Sequence, residues 1–129
     1  MDLHLARNIE AFLVLSGVAS WLPGHWLPSS SEAVVLQLDV INEETPNECL
    51  LMALAVKLPS RQLLASLKIA LSNSAPGKAC GLPVRFVAIG DKLACSVVMP
   101  KETGARDWFT VYSILVKRLG HYSKVGHTQ

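Results

Sequence analysis

The sequence has no run of charge of either sign and no long apolar run. Charged residues make up 17% of the 129 residues, with 12 Lys and Arg against 10 Asp and Glu. The basic residues are scattered, so no cluster of Lys or Arg can follow a phosphate backbone, and we expect no binding to nucleic acid. No apolar run approaches the roughly 20 residues that a transmembrane helix needs, so we expect no insertion into a membrane.

The residue patterns of catalytic and metal sites are also missing. The three cysteines have neither CxxC nor zinc-ribbon spacing, and none of the four histidines has a second histidine four residues away. Pro76-Gly77-Lys78-Ala79 lacks both the earlier glycine and the Ser or Thr of a phosphate loop. No GxSxG, HExxH or GxGxxG motif occurs. We therefore expect no enzyme, no cofactor and no metal, although active-site residues need not be neighbours in sequence.

Cysteine usage and the first twenty residues bear on the cellular compartment. An odd number of cysteines suits a reducing environment, with Cys80 in a Gly and Pro loop as the one candidate for an exposed thiol. The apolar stretch of residues 11–19 faintly resembles a signal peptide, but Asp2 and Glu10 accompany it. We expect a cytoplasmic protein.

Apolar residues are abundant, at 50% of the sequence, for a chain with the length of about one domain. We expect a single domain over residues 1–129 whose polar end, residues 121–129, is a flexible tail. So much apolar character on so small a chain indicates surface left over for oligomerisation or for a partner.

Hydrophobic periodicity and turn residues predict an α+β fold, a small antiparallel sheet with three helices in the order α-β-β-α-β-β-α. The first helix begins at Asp2 and ends before the loop of residues 21–28, where two prolines and a glycine stand close together. Strands over residues 33–40 and 49–58 then pair through a polar turn, and a second helix ends at Asn73.

The last third of the chain reads as a hairpin followed by a helix. Residues 83–89 and 93–99 are rich in strand-forming residues and are joined by a Gly-Asp-Lys turn. The third helix begins at Thr103 or Asp107, carries a regular apolar stripe and ends at Gly120.

Two of these elements are apolar on both sides. In the first helix a core face is predicted opposite a second apolar face that includes Val14, Leu15 and Val18. In the strand over residues 49–58 the even positions are bulky and require a core, whereas the odd positions are small and apolar. A chain of this length has few elements to cover the second faces, and small side chains let another surface approach closely. We therefore interpret the chain first as a protein that binds another protein.

The second helix and the loop of residues 21–28 each leave two interpretations open. The helix has a core stripe that includes Leu71, and a smaller second stripe of Ala65 and Ile69. That second stripe either permits self-association or is an ordinary exposed apolar position. The loop from Trp21 to Pro28 contains Trp-Leu-Pro twice, and its tryptophans either cover the edge of the core or contact a partner.

Several segments together resemble the class I type III secretion chaperones, the Tir-chaperone-like family of small cytoplasmic homodimers. The similarity covers about residues 5–119. It rests on Leu36-Gln37-Leu38-Asp39 in the first strand, on the apolar strand that ends in Leu58-Pro59, and on the second helix, LLASLKIALSN. The resemblance implies a chaperone-like sandwich that holds an extended N-terminal segment of a secreted effector, keeping it soluble and competent for export without ATP.

By position, the resemblance implies a partner-binding surface on the back of the first helix and the outer face of the two strands. Its residues are Val14, Leu15, Val18, Val35, Leu51, Ala53 and Ala55. It also implies a dimer contact on the second helix through Ala65 and Ile69. Some chaperone-like members bind a regulatory protein of the secretion system instead of an effector. The basic character of this chain, with a pI near 8.5, makes that the alternative.

Overall fold

A computed structural model gives the architecture of the chain. It describes residues 3–22, 24–41, 49–56, 63–73, 78–79, 81–100 and 103–127. The helices are α1 (Leu3–Ser16), α2 (Leu63–Asn73) and α3 (Ala105–His127). The strands are β1 (Leu27–Pro28), β2 (Val34–Ile41), β3 (Cys49–Val56), β4 (Lys78–Ala79), β5 (Leu82–Pro83), β6 (Arg85–Ile89) and β7 (Lys92–Pro100). The predicted α+β fold is confirmed, and three two-residue strands are added to the predicted order.

The main sheet has five antiparallel strands in the order β1-β2-β3-β7-β6, and β4 and β5 form a separate small ribbon. Alternate residues of each strand point to one face, which carries the core. Leu36, Leu54, Cys95 and Phe86 are paired across four strands and are all buried in that core. The helices supply the other half of the same cluster, so they pack on this one face of the sheet.

The end of α1 differs from the prediction. Gly17 has a φ of 73°, its amide donates to the Val14 carbonyl at 3.3 Å, and the Val18 amide donates to the Leu13 carbonyl at 2.9 Å. This pair of bonds is a Schellman motif, which turns the chain back over the last helical turn. Val18 is therefore only 7% exposed and belongs to the core, so its predicted place on the outer face of the helix is wrong.

The third helix does not end at Gly120 but continues to His127. Residues 121–127, which we predicted to be part of a flexible tail, extend the helix. Tyr122 is buried, and its ring meets the Phe86 ring edge-on with centroids 5.3 Å apart. An aromatic contact of this kind can offset the roughly 1 kcal/mol that a glycine costs inside a helix.

One position of α2 also departs from the prediction. Ser66 and Ala70 are buried, while Leu71 is 54% exposed, so its predicted place in the core stripe is wrong. Each helical residue is turned about 100° from the one before, and Leu71 follows Ala70 out of the core. It shares the exposed face with Leu64 and Lys68, at the spacing i, i+4, i+7.

The loop before β2 closes one edge of the sheet. The Trp21 indole and the Gly24 amide both donate to the Leu38 carbonyl, at 3.3 and 3.1 Å, and the Gln37 side chain donates to the Gly24 carbonyl. Trp21 also packs against the core, which agrees with a covering role, whereas Trp26 remains exposed. The backbone acceptor on this edge of β2 is thus satisfied within the chain.

Candidate partner-binding surface

The face of the sheet that points away from the helices carries a continuous apolar row. Its residues are opposite one another in the strand register, one from each strand. They are Pro28, Val35, Ala55, Ala94 and Val87. An apolar residue on every strand is unusual for a sheet face that the three described helices leave uncovered, because such faces normally carry polar residues.

The exposure of the side chains on this face differs from residue to residue. Ala55 and Ala94 are 4% and 2% exposed, although neither belongs to the core cluster. Val87 on β6 and Val98 on β7 are 40% and 48% exposed. We call these outward-facing residues of β2, β3, β6 and β7 the outer sheet face. Its apolar atoms remain in contact with water in the isolated chain.

The sheet has one open edge beside this face. β6 is the last strand in the order, and in the part of the chain that the structure describes no strand pairs with its second side. Its alternate amide and carbonyl groups can accept a further strand. The opposite edge, at β2, is occupied by β1 and by the loop of residues 21–28, which contains Trp21.

Comparison with models of known protein families identifies the family of this chain. The SsaM family model matches residues 2–121, more than nine-tenths of the 129 residues. The chain belongs to the SsaM family. This family is associated with type III secretion, so the connection to secretion that the resemblance implied is supported at this level. No curated protein and no solved structure matches the chain.

In this SsaM-family protein, the residues predicted for partner binding do not form one surface. Val14 is 80% exposed and Leu15 is also exposed, as predicted for the back of α1. However, α1 packs on α3 within the helical layer. The outer sheet face lies on the other side of the sheet, so the two predicted halves are separate patches.

The four strand positions of the prediction have different environments in the structure. Val35 is half-buried on the outer sheet face. Ala55 is on the same face, as predicted, but it is only 4% exposed. Leu51 is paired with Asp39 and Val98, and Ala53 with Gln37 and Ser96. The side chains of Leu51 and Ala53 lie outside the described part of the structure.

The contribution of the second hairpin to this surface was not predicted from the sequence. Val87, Ile89 and Val98 are among the exposed large apolar residues and lie on the outer sheet face. The signal that could have shown it was the alternation in β6, where Phe86 is buried and its neighbours Arg85 and Val87 are exposed. When the exposed positions of such an alternating strand are also apolar, its own chain covers only one of its two faces, and the second apolar face is left open.

The predicted dimer contact on α2 is half-buried. Ala65 is partly accessible, and Ile69 is partly accessible while packing against the core. The more exposed apolar residues of this helix are its neighbours Leu64 and Leu71. An apolar strip therefore exists on α2, but it is rotated toward these two leucines.

The described residues of this SsaM-family protein carry little that resembles a reactive site. Cys95 is buried in the core, and burial raises the pKa of its thiol to about 12, against the smaller lowering effects of the Arg118 charge and a hydrogen bond from the Leu54 backbone. Its reactive thiolate is accordingly suppressed at neutral pH. Cys80, the candidate for an exposed thiol, lies outside the described residues. Within the described ranges there is no group of three potential metal ligands, and no helix is long and apolar enough to cross a membrane.

Proposed function

We propose that this protein is a type III secretion chaperone that binds an extended segment of a secreted effector in the cytoplasm and keeps it competent for export. The observation that carries the proposal is the apolar row across the outer sheet face, next to the open edge of β6. The function is binding alone, without catalysis or a cofactor. Membership of the SsaM family supports the link with secretion.

An extended segment suits this surface better than a folded domain does. A strand added beside β6 would gain backbone hydrogen bonds, and every second side chain would lie on the outer sheet face. There Val87 and Ile89 are exposed at alternate positions of β6, and Val98 is exposed on β7. Burying a fully exposed Val or Ile side chain contributes about 1.5 to 3 kcal/mol, and these three residues, at 40 to 48% exposure, would gain roughly half of that or less.

The proposal includes a homodimer that forms through α2. Leu64 and Leu71 are exposed on one side of this helix, and Ala65 beside them is small enough for a second helix to approach. This contact lies in the helical layer, so it leaves the outer sheet face of both copies accessible. Val14 and Leu15 on α1 remain accessible to a bound segment long enough to pass around the molecule.

A second candidate is a chaperone-like regulator that binds and sequesters a regulatory protein of the secretion system. The basic balance of the chain, with a net charge of +2 and a pI near 8.5, favours an acidic partner of this kind. Both candidates use the same surface, so they differ in the identity of the partner.

The experiment is an affinity purification of the tagged protein from its native cytoplasm, with partners identified by mass spectrometry. The test variant is Val98→Glu, which places a charge on the outer sheet face, and the matched control is Leu64→Glu on α2. We expect Val98→Glu to weaken partner binding by more than about tenfold, because it replaces an apolar contact of the outer sheet face with a charged group that loses water when a segment covers it. Each copy of the control variant should still bind the partner as the wild type does.

The partner recovered distinguishes the two candidates. A secreted protein with a disordered N-terminal segment supports the chaperone, and a regulatory protein supports the alternative. If Val98→Glu folds normally by circular dichroism and recovers the same partner at the same level, the outer sheet face is not the binding surface. If the protein is recovered alone, the proposal of a bound partner is contradicted.

A further inference from the structure

The outer sheet face contains a pocket over the edge strand β6 and its neighbour β7. It has a volume of about 210 Å³ and is lined by Pro83, Arg85, Ser96 and Val98. Arg85 and Ser96 are directly opposite each other on β6 and β7, so the strand register itself fixes the two polar groups side by side. Val98 and Pro83 supply an apolar wall on one side of them.

Among the described residues, Arg85 has no acidic neighbour that could form an ion pair with its guanidinium group. It is exposed, and none of the hydrogen bonds and ion pairs found in the described ranges involves it. Asp39, the carboxylate on the same face, is on β2, which is three strands away from β6. At the usual strand separation this is about 14 Å, too far for an ion pair.

The pocket therefore offers a cation, a hydroxyl group and an apolar wall in one place. A guanidinium group is always charged and binds a planar carboxylate through two parallel hydrogen bonds. The Ser96 hydroxyl can donate to the same carboxylate. An acidic side chain that reaches over β6 to Arg85 matches the cation, with the Ser96 hydroxyl and the apolar wall beside it.

The register of β6 predicts what should accompany the acidic residue. Arg85, Val87 and Ile89 lie on the same face at intervals of two residues. In a segment added along this edge, residues two apart also share a face. An acidic side chain opposite Arg85 would thus be accompanied, at the same intervals of two residues, by apolar side chains opposite Val87 and Ile89.

We propose that this pocket is a specificity site that binds an acidic side chain of the partner's extended segment. The segment carries an Asp or Glu separated by single residues from two apolar residues, in either chain direction. This inference rests on the proposed function, since it names the chemistry of the segment that the outer sheet face binds. It assigns Arg85 to selecting the partner, while the valines supply most of the affinity.

The test is selection from a library of random linear decapeptides displayed on phage, with the full-length protein as the target. Peptides selected by the wild type should be enriched in Asp or Glu at alternating spacing with apolar residues. The same selection on Arg85→Glu should lose that enrichment and favour Lys or Arg at the same position. Arg106→Glu, an exposed arginine on α3, is the matched control and should select the same peptides as the wild type.

The test is completed by measuring the affinity of one selected peptide for the wild type and for Arg85→Glu. Changing its acidic residue to Asn or Gln should weaken binding to the wild type by about three- to tenfold, the range expected for a partly exposed charged hydrogen bond. The same change should make little difference to Arg85→Glu. Enriched apolar peptides without an acidic preference would overturn the pocket proposal and leave the proposed function in place. A failure to select any peptide on the wild type would contradict both.

Discussion

At the scale of single residues, the turn after α1 depends on glycine for two separate reasons. The φ of Gly17 lies in the left-handed region, which costs other residues about 1 to 2 kcal/mol. In addition, a Cβ atom at this position would stand 3.0 Å from the Ser30 Cβ and 3.1 Å from the Ser30 nitrogen. The Ser30 amide donates to the Ser16 carbonyl at 2.7 Å, so the segment that would have to move is itself held in place.

We predict that Gly17→Ala lowers the free energy of unfolding by about 2 kcal/mol or more, through backbone strain and this close contact together. Gly24→Ala is the matched control. Its φ is 76°, but a Cβ added there would meet no atom within 4 Å, so the substitution should cost only about 1 kcal/mol. Urea unfolding followed by circular dichroism measures both values. Equal losses in the two variants would show that the contact with Ser30 contributes nothing.

The same turn explains a limit of sequence-based prediction at this scale. Helical periodicity predicts one core face for α1, with Ile9, Phe12 and Leu13 on it, and all three residues are buried. It also placed Val18 on the opposite face, because periodicity applies only while the helix continues. The glycine at position 17 was the signal for the stop, and its left-handed turn returns the next residue to the core.

At the scale of secondary structure elements, the connection from α1 to β2 is held by a side chain of α3. The Tyr112 hydroxyl is 2.6 Å from the Ser29 hydroxyl and accepts a hydrogen bond of 3.3 Å from the Ser31 amide. The Tyr112 ring is buried and contacts the Phe12 ring edge-on, at 6.1 Å between centroids. One residue thus links the third helix both to α1 and to the segment that enters the sheet.

We predict that Tyr112→Phe lowers the free energy of unfolding by about 1 to 2 kcal/mol. The ring and its aromatic contacts remain, while the Ser29 hydroxyl and the Ser31 amide lose their partner in a partly buried site. Ser29→Ala, which removes only one of the two hydrogen bonds, should cost less. Thermal and urea unfolding test the order of the three proteins. Unchanged stability in Tyr112→Phe would mean that water replaces the hydroxyl without loss.

The order of the elements was predictable, but the roles of the sheet edges were not. Strand-forming runs and turn residues predicted the hairpin of β6 and β7, and the structure contains it. Which strands lie at the edges depends on pairings between β3 and β7, which are distant in sequence. The pattern of residues within a strand does not contain that information. For this reason the exposed apolar residues of β6 and β7 were not predicted.

At the scale of the whole molecule, two of the apolar surfaces among the described residues lie on opposite sides of the sheet. The outer sheet face includes Val98, and the exposed side of α2 includes Leu64 and Leu71. Two separate surfaces can serve two separate contacts, one with a partner and one with a second copy of the chain. The sequence indicated an excess of apolar residues, but a single chain's composition does not say how that excess is divided between surfaces.

We predict that the protein is a dimer with twice the 14.0 kDa mass of the chain, and that Leu64→Glu combined with Leu71→Glu makes it a monomer. Both leucines are exposed in the isolated chain, so the substitutions should leave the fold intact, while their charges would repel across a contact between two copies of α2. Light scattering coupled to size-exclusion chromatography measures the mass. Val98→Glu is the reciprocal control and should remain a dimer. A dimer that is lost in Val98→Glu but kept in the α2 variant would place self-association on the outer sheet face, where a second copy and an extended segment would then compete.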